Sequence, residues 1–254
     1  MIQVDDLQLR IGNRTILNKL HFEVQRGEIF GVIGPNGSGK STLLKLLSGL
    51  EKPTRGTVYL DGRPVNSYSR KKLATWLAVL QQSSLPSIGF TVKEVVEMGR
   101  YPYQNWMGEE AEDVRPLISS ILDKLRLEKL QDRMLSEISG GEKQRAALGK
   151  VMAQEPRLLM LDEPTTYLDI GTQVELMTWI QAWKKESDLT VVVVLHDLNL
   201  AAQYCDRILL LHQGEVVEVG TAEQVMKEDL LQRVYGVKPY VLKHPVLGVP
   251  QILL

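Results

Sequence analysis

The chain has 254 residues, 44 % of them hydrophobic and 24 % charged, with a formal net charge of −1. That length suits one large α/β domain, and the near-zero charge excludes a chain built to bind polyanionic nucleic acid or a lipid surface through bulk electrostatics. A single cysteine, Cys205, rules out an internal disulfide and fits a reducing compartment.

In chain order, alternating segments at 3–11 and 20–25 and the apolar run 29–33 read as strands. A glycine-rich turn, Gly34–Ser41, leads into a helix over 42–50 that Gly49 and Pro53 end. Residues 57–60 and 77–80 read as further strands. From 83 to 153 strand patterns give way to helical periodicity. Thr91 and Glu94 form a capping box, 109–127 carries apolar residues at helical spacing, and a helix begins near Gly141. Phe90 and Val95 are expected in the core of this block. Short apolar runs suited to buried parallel strands return at 158–161 and 190–195, around a helix over 171–186. Residues 207–219 read as a hairpin turning at Gln213–Gly214. Thr221 and Gln224 form another capping box, and the tail 237–254 reads as extended, broken by Pro239, Pro245 and Pro250. No apolar run approaches the ~20 residues that cross a bilayer. The N-terminus carries acids where a secretion signal has lysines, so the chain is expected to stay in the cytoplasm.

Three segments carry chemistry. Gly34-Pro35-Asn36-Gly37-Ser38-Gly39-Lys40-Ser41-Thr42, between a strand and a helix, matches G-x-x-x-x-G-K-[ST]. Its glycines let backbone N–H groups curl around phosphate oxygens at the positive end of the helix. Lys40 is placed to reach the β- and γ-phosphates of ATP, and Ser41 to offer a hydroxyl to Mg²⁺. The run 158–161 ends in Asp162 and Glu163, at the carboxyl end of a strand, where α/β sheets bind ligands. Asp162 is expected to hold Mg²⁺ through its water shell, and Glu163 to orient and deprotonate the attacking water. The alternative is a pair of acids that merely end a strand. His196, at the next strand end, is expected to help place that water. The other histidines, His21, His212 and His244, lack ligand-like spacing, so no transition-metal site is expected.

The segment Leu135-Ser136-Glu137-Ile138-Ser139-Gly140-Gly141-Glu142-Lys143-Gln144-Arg145 is locally a capping box, Ser139 with Glu142. It also resembles the signature motif of ABC (ATP-binding cassette) proteins, with Ile138 for the usual Leu and Glu142 for the usual Gln, 23 residues before Asp162. Gln82, with Gln81 as the one-residue alternative, matches the family's Q-loop glutamine, which joins Ser41 and Asp162 at Mg²⁺. Tyr167-Leu168-Asp169 matches the D-loop, and His196 the switch histidine. The resemblance implies a P-loop (RecA-like) α/β core with an N-terminal antiparallel β-subdomain and an inserted α-helical subdomain. Residues 1–82 and 154–236 would form the core, 83–153 the insertion and 237–254 a C-terminal extension. It implies a homodimer of cassettes in which Ser139, Gly140, Gly141 and Glu142 act on the partner's nucleotide, and in which Asp169 joins the dimer contact beside capping its helix. The usual adenine-stacking aromatic is replaced by Ile11, which offers apolar contact without stacking.

Finer likeness links the chain to the iron-chelate uptake group of bacterial importers, which handle siderophores, haem or cobalamin. It rests on residues 77–82, 90–92, Met98-Gly99-Arg100-Tyr101-Pro102-Tyr103, residues 162–170 and the tail at 235–237 and 244–250. Such a chain would sit on the cytoplasmic face of the membrane. It would dock integral-membrane permease subunits through Gln82, Tyr101 and Tyr103, serve an external substrate-binding protein indirectly and bind no nucleic acid. The rival reading is a soluble ABC ATPase acting on nucleic acid or ribosomes. Exporter and regulatory cassettes fit less well, since the chain has no fused membrane segment and keeps Lys40, Glu163 and His196 together.

Overall fold

The computed structural model describes residues 1–80, 89–110 and 113–253. Strands β1 (Ile2–Ile11) and β2 (Arg14–Val24) form a hairpin. β3 (Ile29–Ile33) and helix α1 (Lys40–Leu47) follow, then β4 (Arg55–Leu60), β5 (Arg63–Pro64), α2 (Arg70–Ala74) and β6 (Leu77–Leu80). The middle block holds α3 (Val92–Glu97), α4 (Arg115–Lys124) and α5 (Gly140–Ala153). β7 (Leu158–Asp162), α6 (Ile170–Glu186), β8 (Thr190–Val194), α7 (Leu198–Tyr204), β9 (Arg207–His212) and β10 (Glu215–Gly220) return to the sheet. α8 (Ala222–Val225), α9 (Glu228–Tyr235) and the hairpin β11 (Tyr240–Lys243) and β12 (Pro250–Leu253) close the chain.

Two sheets organise these elements. One is antiparallel, in the order β2-β1-β4-β5; the other runs β10-β9-β3-β8-β7-β6. In the second sheet β9, β3, β8, β7 and β6 are mutually parallel, and β10 pairs antiparallel on the edge. β3 and β8 are buried along their whole length and β7 as far as Leu161, which is why the sequence shows continuous apolar runs there rather than alternation. Strand parity then sorts the side chains. Phe30, Val32, Leu158, Met160, Val192 and Val194 share a core with the α1 leucines and the antiparallel sheet. Ile29, Ile33, Leu159, Leu161, Val191 and Val193 share the other core with α3, α4, α5, α6 and α7. The middle block therefore rests on one face of the parallel sheet and the antiparallel sheet on the other.

The structure departs from expectation in four places. The first helix begins at Lys40 and stops at Leu47, because Ser48 and Gly49 (φ +69°) end it early. The helix expected over 109–127 is shorter, Arg115–Lys124, with Pro116 near its start. Phe90, expected in the core, is 37 % exposed, whereas Val95 is fully buried. The tail, expected to be extended, folds into an antiparallel hairpin pairing Tyr240 with Leu253 through Lys243 with Pro250. Pro250 is tolerated as the first residue of an edge strand, and the His244 ring accepts the N–H groups of Val246 and Leu247 to close the turn.

A buried arginine ties the middle block together. Arg100 pairs with Glu110 and donates to Glu155 at 2.6 Å and to the Ala153 carbonyl at 2.8 Å. Its guanidinium lies 4.0 Å from the centre of the Tyr103 ring, whose hydroxyl donates to the Gln154 carbonyl at 2.9 Å. The Gln154 amide in turn donates to the Ala74 carbonyl at the end of α2 and to the Leu77 carbonyl at the start of β6. Removing one partner of a buried ion pair leaves an uncompensated charge, so Arg100→Ala is expected to destabilise the fold by about 3 kcal/mol. Arg115→Ala, at an exposed pair screened by solvent, is expected to shift stability far less. Urea unfolding midpoints check the contrast; equal shifts would refute it.

Candidate functional site

Because β3, β8 and β7 are parallel neighbours, the segments that follow them emerge at one edge of the sheet. These segments carry Gly34–Ser41, His196, and Asp162 with Glu163. The loop after β3 turns where only glycine fits. Gly34 has φ +152°, and a Cβ there would collide with the Leu211 carbonyl; at Gly39 (φ +105°) a Cβ would stand 2.6 Å from Leu17 Cδ2. The β9–β10 turn braces this loop, with Gly214 N–H donating to the Ser38 carbonyl at 3.1 Å.

The start of α1 is bare. Its N-cap is Gly39, with no side-chain cap and no acid in the first turn. In contrast, Thr91, Ser139, Asp169 and Asp197 each cap their helices with their own side chains. Ser38 is 3 % exposed, and among the described residues its hydroxyl finds no partner. Lys40 is 5 % exposed and donates to the Gly34 and Pro35 carbonyls at 2.9 and 3.1 Å. Burial pulls its pKa down, while Glu163 and Asp162 oppose that shift. Uncapped N–H groups, an orphan hydroxyl and a half-satisfied ammonium around one loop fit a phosphate chain.

Beside the loop, Ser41 Oγ donates to Asp162 Oδ1 at 3.0 Å. Burial raises the Asp162 pKa, and the Ser41 hydrogen bond opposes the shift. A hydroxyl and a half-buried carboxylate so placed are the oxygen donors a small, hard cation takes. Glu163 has φ +51°, a conformation rare outside glycine. Its Oε1 lies 2.5 Å from His196 Nε2. A cavity of about 200 Å³ is lined by Ile16, Asn36, Gly37, Gly39, Lys40, Ser41, Thr42 and Glu163. A larger hollow of about 340 Å³ beside the C-terminal hairpin offers no comparable convergence of polar groups.

The remaining candidates lie apart from this cluster. Ser139 caps α5: its hydroxyl accepts Glu142 N–H at 3.3 Å, while the Glu142 carboxylate accepts Ser139 N–H at 2.7 Å. The Ser139 N–H, and then the Ser139 hydroxyl at 2.8 Å, both donating to the carboxylate, hold the Glu142 pKa below the usual range. Gly140 and Gly141 open that helix, and Ser139, Gly140, Gly141 and Glu142 do not line the cavity. Asp169 caps α6 by accepting from Thr172 N–H and its hydroxyl, as expected of it. Tyr167 and Ile170 flank it at 94 % and 81 % exposure, an apolar face beside the α6 cap that the sequence reading did not single out. Ile11 stands exposed at the tip of the β1–β2 hairpin, whereas Ile16 reaches the cavity. No local signal in the sequence marks Ile16, because its place at the cavity depends on how β2 packs beside the glycine loop. Tyr101 is exposed, and Tyr103 is half-buried against Arg100. Gln82, like Gln81, lies outside the described residues. No described helix is long and apolar enough to cross a membrane.

The chain is similar to known proteins over most of its length. The family model described as ABC transporter matches residues 17–166. The chain is 37 % identical to the petrobactin import ATP-binding protein FpuC of Bacillus anthracis, over 94 % of this chain and 88 % of the relative. It is 36 % identical to the ferric enterobactin transport ATP-binding protein FepC of Escherichia coli (98 % and 92 %) and 38 % identical to the hemin import ATP-binding protein HmuV of Rhodococcus jostii (99 % and 85 %). Among solved structures, cbiO1 from Clostridium perfringens, part of the ABC transporter complex cbiONQ, aligns with a TM-score of 0.79 at 28 % identity, over 91 % of this chain and 92 % of that one. The ATP-binding cassette MJ0796, a dimer in a post-hydrolysis state bound to ADP and Pi, aligns with a TM-score of 0.74 at 28 % identity, over 87 % and 98 %. With its phosphate loop, carboxylate pair and signature segment disposed on this fold, the chain belongs to the ABC transporter family, as one of its ATP-binding ATPases.

Proposed function

We propose that the chain is the ATP-hydrolysing subunit of a bacterial importer for an iron chelate, a siderophore complex or haem. The observation that carries the ATPase is the meeting of the bare α1 N-terminus, the Ser41–Asp162 bond and the Glu163–His196 contact at one sheet edge. The chelate reading rests on relatives that import petrobactin, ferric enterobactin and hemin. None of these relatives is a nucleic-acid or ribosome protein, which favours transport over the rival reading. In our reading the chain works as a pair of cassettes under an integral-membrane permease, on the cytoplasmic face, with an external binding protein delivering cargo. Residues 83–153 form the helical subdomain between 1–82 and 154–236, with 237–254 as extension. Tyr101, Tyr103 and Gln82 are the docking residues.

Lys40 and the N–H groups of 34–42 bind the triphosphate, and Ile16, rather than Ile11 alone, meets the nucleoside side. Ser41 and Asp162, with Gln82, would hold Mg²⁺, which supplies charge neutralisation between the β- and γ-phosphates. Glu163 accepts a proton as water attacks the γ-phosphorus. The bond to the bridging oxygen breaks, ADP leaves, and His196 orients the water and Glu163 across their 2.5 Å contact. Ser139, Gly140, Gly141 and Glu142 cover the partner's nucleotide. The exposed Tyr167 and Ile170 beside Asp169 fit the face that such a pair would bury.

Glu163→Gln is expected to lower kcat at least ~100-fold while leaving ATP binding intact, so that the variant accumulates as an ATP-held dimer. Lys40→Ala is expected to lose binding as well. Size-exclusion chromatography with ATP reads the first, and a monomeric Glu163→Gln chain would contradict the assignment. Ile16→Tyr adds a stacking ring worth about 1 kcal/mol or more, so its KM for ATP should fall roughly fivefold; an unchanged KM would place the base elsewhere. Capturing tagged Glu163→Gln chain from solubilised membranes tests transport. A polytopic permease is the expected companion, and ribosomes or nucleic acid would overturn the reading.

A further inference from the structure

One side chain hydrogen-bonds the C-terminal hairpin to the helix that follows His196. Asn199, in the first turn of α7, donates from Nδ2 to the Ile252 carbonyl at 3.1 Å and accepts Ile252 N–H on Oδ1 at 2.7 Å. The amide thus pairs with β12 as a neighbouring strand's main chain would. The partners are 53 residues apart in sequence.

We propose that Asn199 is a positioning residue, clasping Ile252 of the C-terminal hairpin so that the start of α7 presents His196 to Glu163. This rests on the role given above to His196. His196 lies between two sets of fixed points. Upstream, Leu195 N–H donates to the Val32 carbonyl at 3.2 Å. Downstream, Asp197 Oδ1 accepts the N–H groups of Asn199 and Leu200 at 2.7 and 3.1 Å, which joins the cap of α7 directly to the clasping residue. The His196 side chain itself is 40 % exposed, so no packed core holds it. What fixes its 2.5 Å approach to Glu163 is the backbone on either side, and the clasp is the only tie among these that reaches outside the sheet and its own helix end.

The far end of the clasp is anchored. Ile252 is 7 % exposed and joins the core shared with α7 and α9. Its strand partner Val241 donates N–H to Glu228 at the start of α9. At the other end of α9, burial pushes the Tyr235 phenol up to about 12, and the Gly34 backbone beside it opposes that shift. The C-terminal segment therefore reaches the surroundings of the site at two points, beside Gly34 and at the helix that follows His196. An isolated two-stranded hairpin is marginal in water, so it can serve as a fixed reference only because of such ties.

Asn199 is itself exposed, so its replacement leaves the core intact. The test uses the full chain, measuring ATP hydrolysis and the His196 ring signals by NMR. Only four histidines are present, and His196→Ala identifies the resonance. Asn199→Ala is expected to lower kcat about 5–10-fold with KM for ATP within about twofold, because small misplacement of a reacting group slows chemistry without weakening binding. It should move the His196 resonances and leave those of His21 in place. Asn199→Asp keeps the acceptor for Ile252 N–H and loses only the donor, so it should fall between. In a His196→Ala background, Asn199→Ala should cause no further loss. Wild-type kcat or unmoved His196 signals in Asn199→Ala, or an undiminished loss in the His196→Ala background, would overturn the clasp while the reading of His196 stands. A His196→Ala chain as fast as wild type would instead remove that reading and the clasp with it.

Discussion

Parallel pairing of β3, β8 and β7, in that spatial order, is the constraint on which the rest depends. Parallel neighbours expose their carboxyl ends at the same edge, and crossover helices must cover both faces of such a sheet. Segments far apart in the chain, at 34–41, 162–163 and 196, thereby converge. Burial on both faces also makes the strands stiff carriers. A shift of one residue in any of them would exchange the Ile29 and Phe30 sets between two different cores, so the register is strongly determined.

The electrostatics of the edge follow from that placement. Lys40 and Asp162 are drawn into the protein far enough for burial to disfavour both charges, and each is only partly compensated by its neighbours. Ser38 adds a buried hydroxyl with no partner among the described residues. A protein that left these groups so would be less stable than one with apolar residues there. In the reading proposed above, a polyphosphate with its counter-ion would satisfy them together, so that binding would relieve a deficit built into the fold. The strained backbone at Glu163 belongs to the same pattern, since positive φ at a carboxylate persists only where the surroundings enforce it.

Two tethers outside the sheet have different characters. The Arg100 knot is buried and multiply bonded. It joins the segment bearing Tyr101 and Tyr103 to Ala153, Gln154 and Glu155, and through Gln154 to the start of β6. The Asn199 clasp is a single exposed amide, suited to holding a helix end without adding much stability. The larger hollow at the hairpin lies between this extension and the end of α8, with Met226 and Val241 among its lining residues.

Much of this was legible in the sequence because it depends on local geometry. The glycine loop followed by Lys40, the capping boxes at Thr91 and Ser139, the Asp169 cap and the continuous apolar runs of β3, β7 and β8 each reflect rules acting over a few residues, and all are present in the structure. Family likeness in the signature segment then identified what the loop belongs to. Tertiary structure alone decided the pairing order that brings Glu163 to His196, the choice of Ile16 over Ile11 at the cavity, the exposure of Phe90, and the folding of the tail onto Asn199. These are contacts between residues tens to more than a hundred positions apart. Their free energy comes from packing and burial on surfaces formed only once the sheet is assembled, so no local pattern in the chain encodes them.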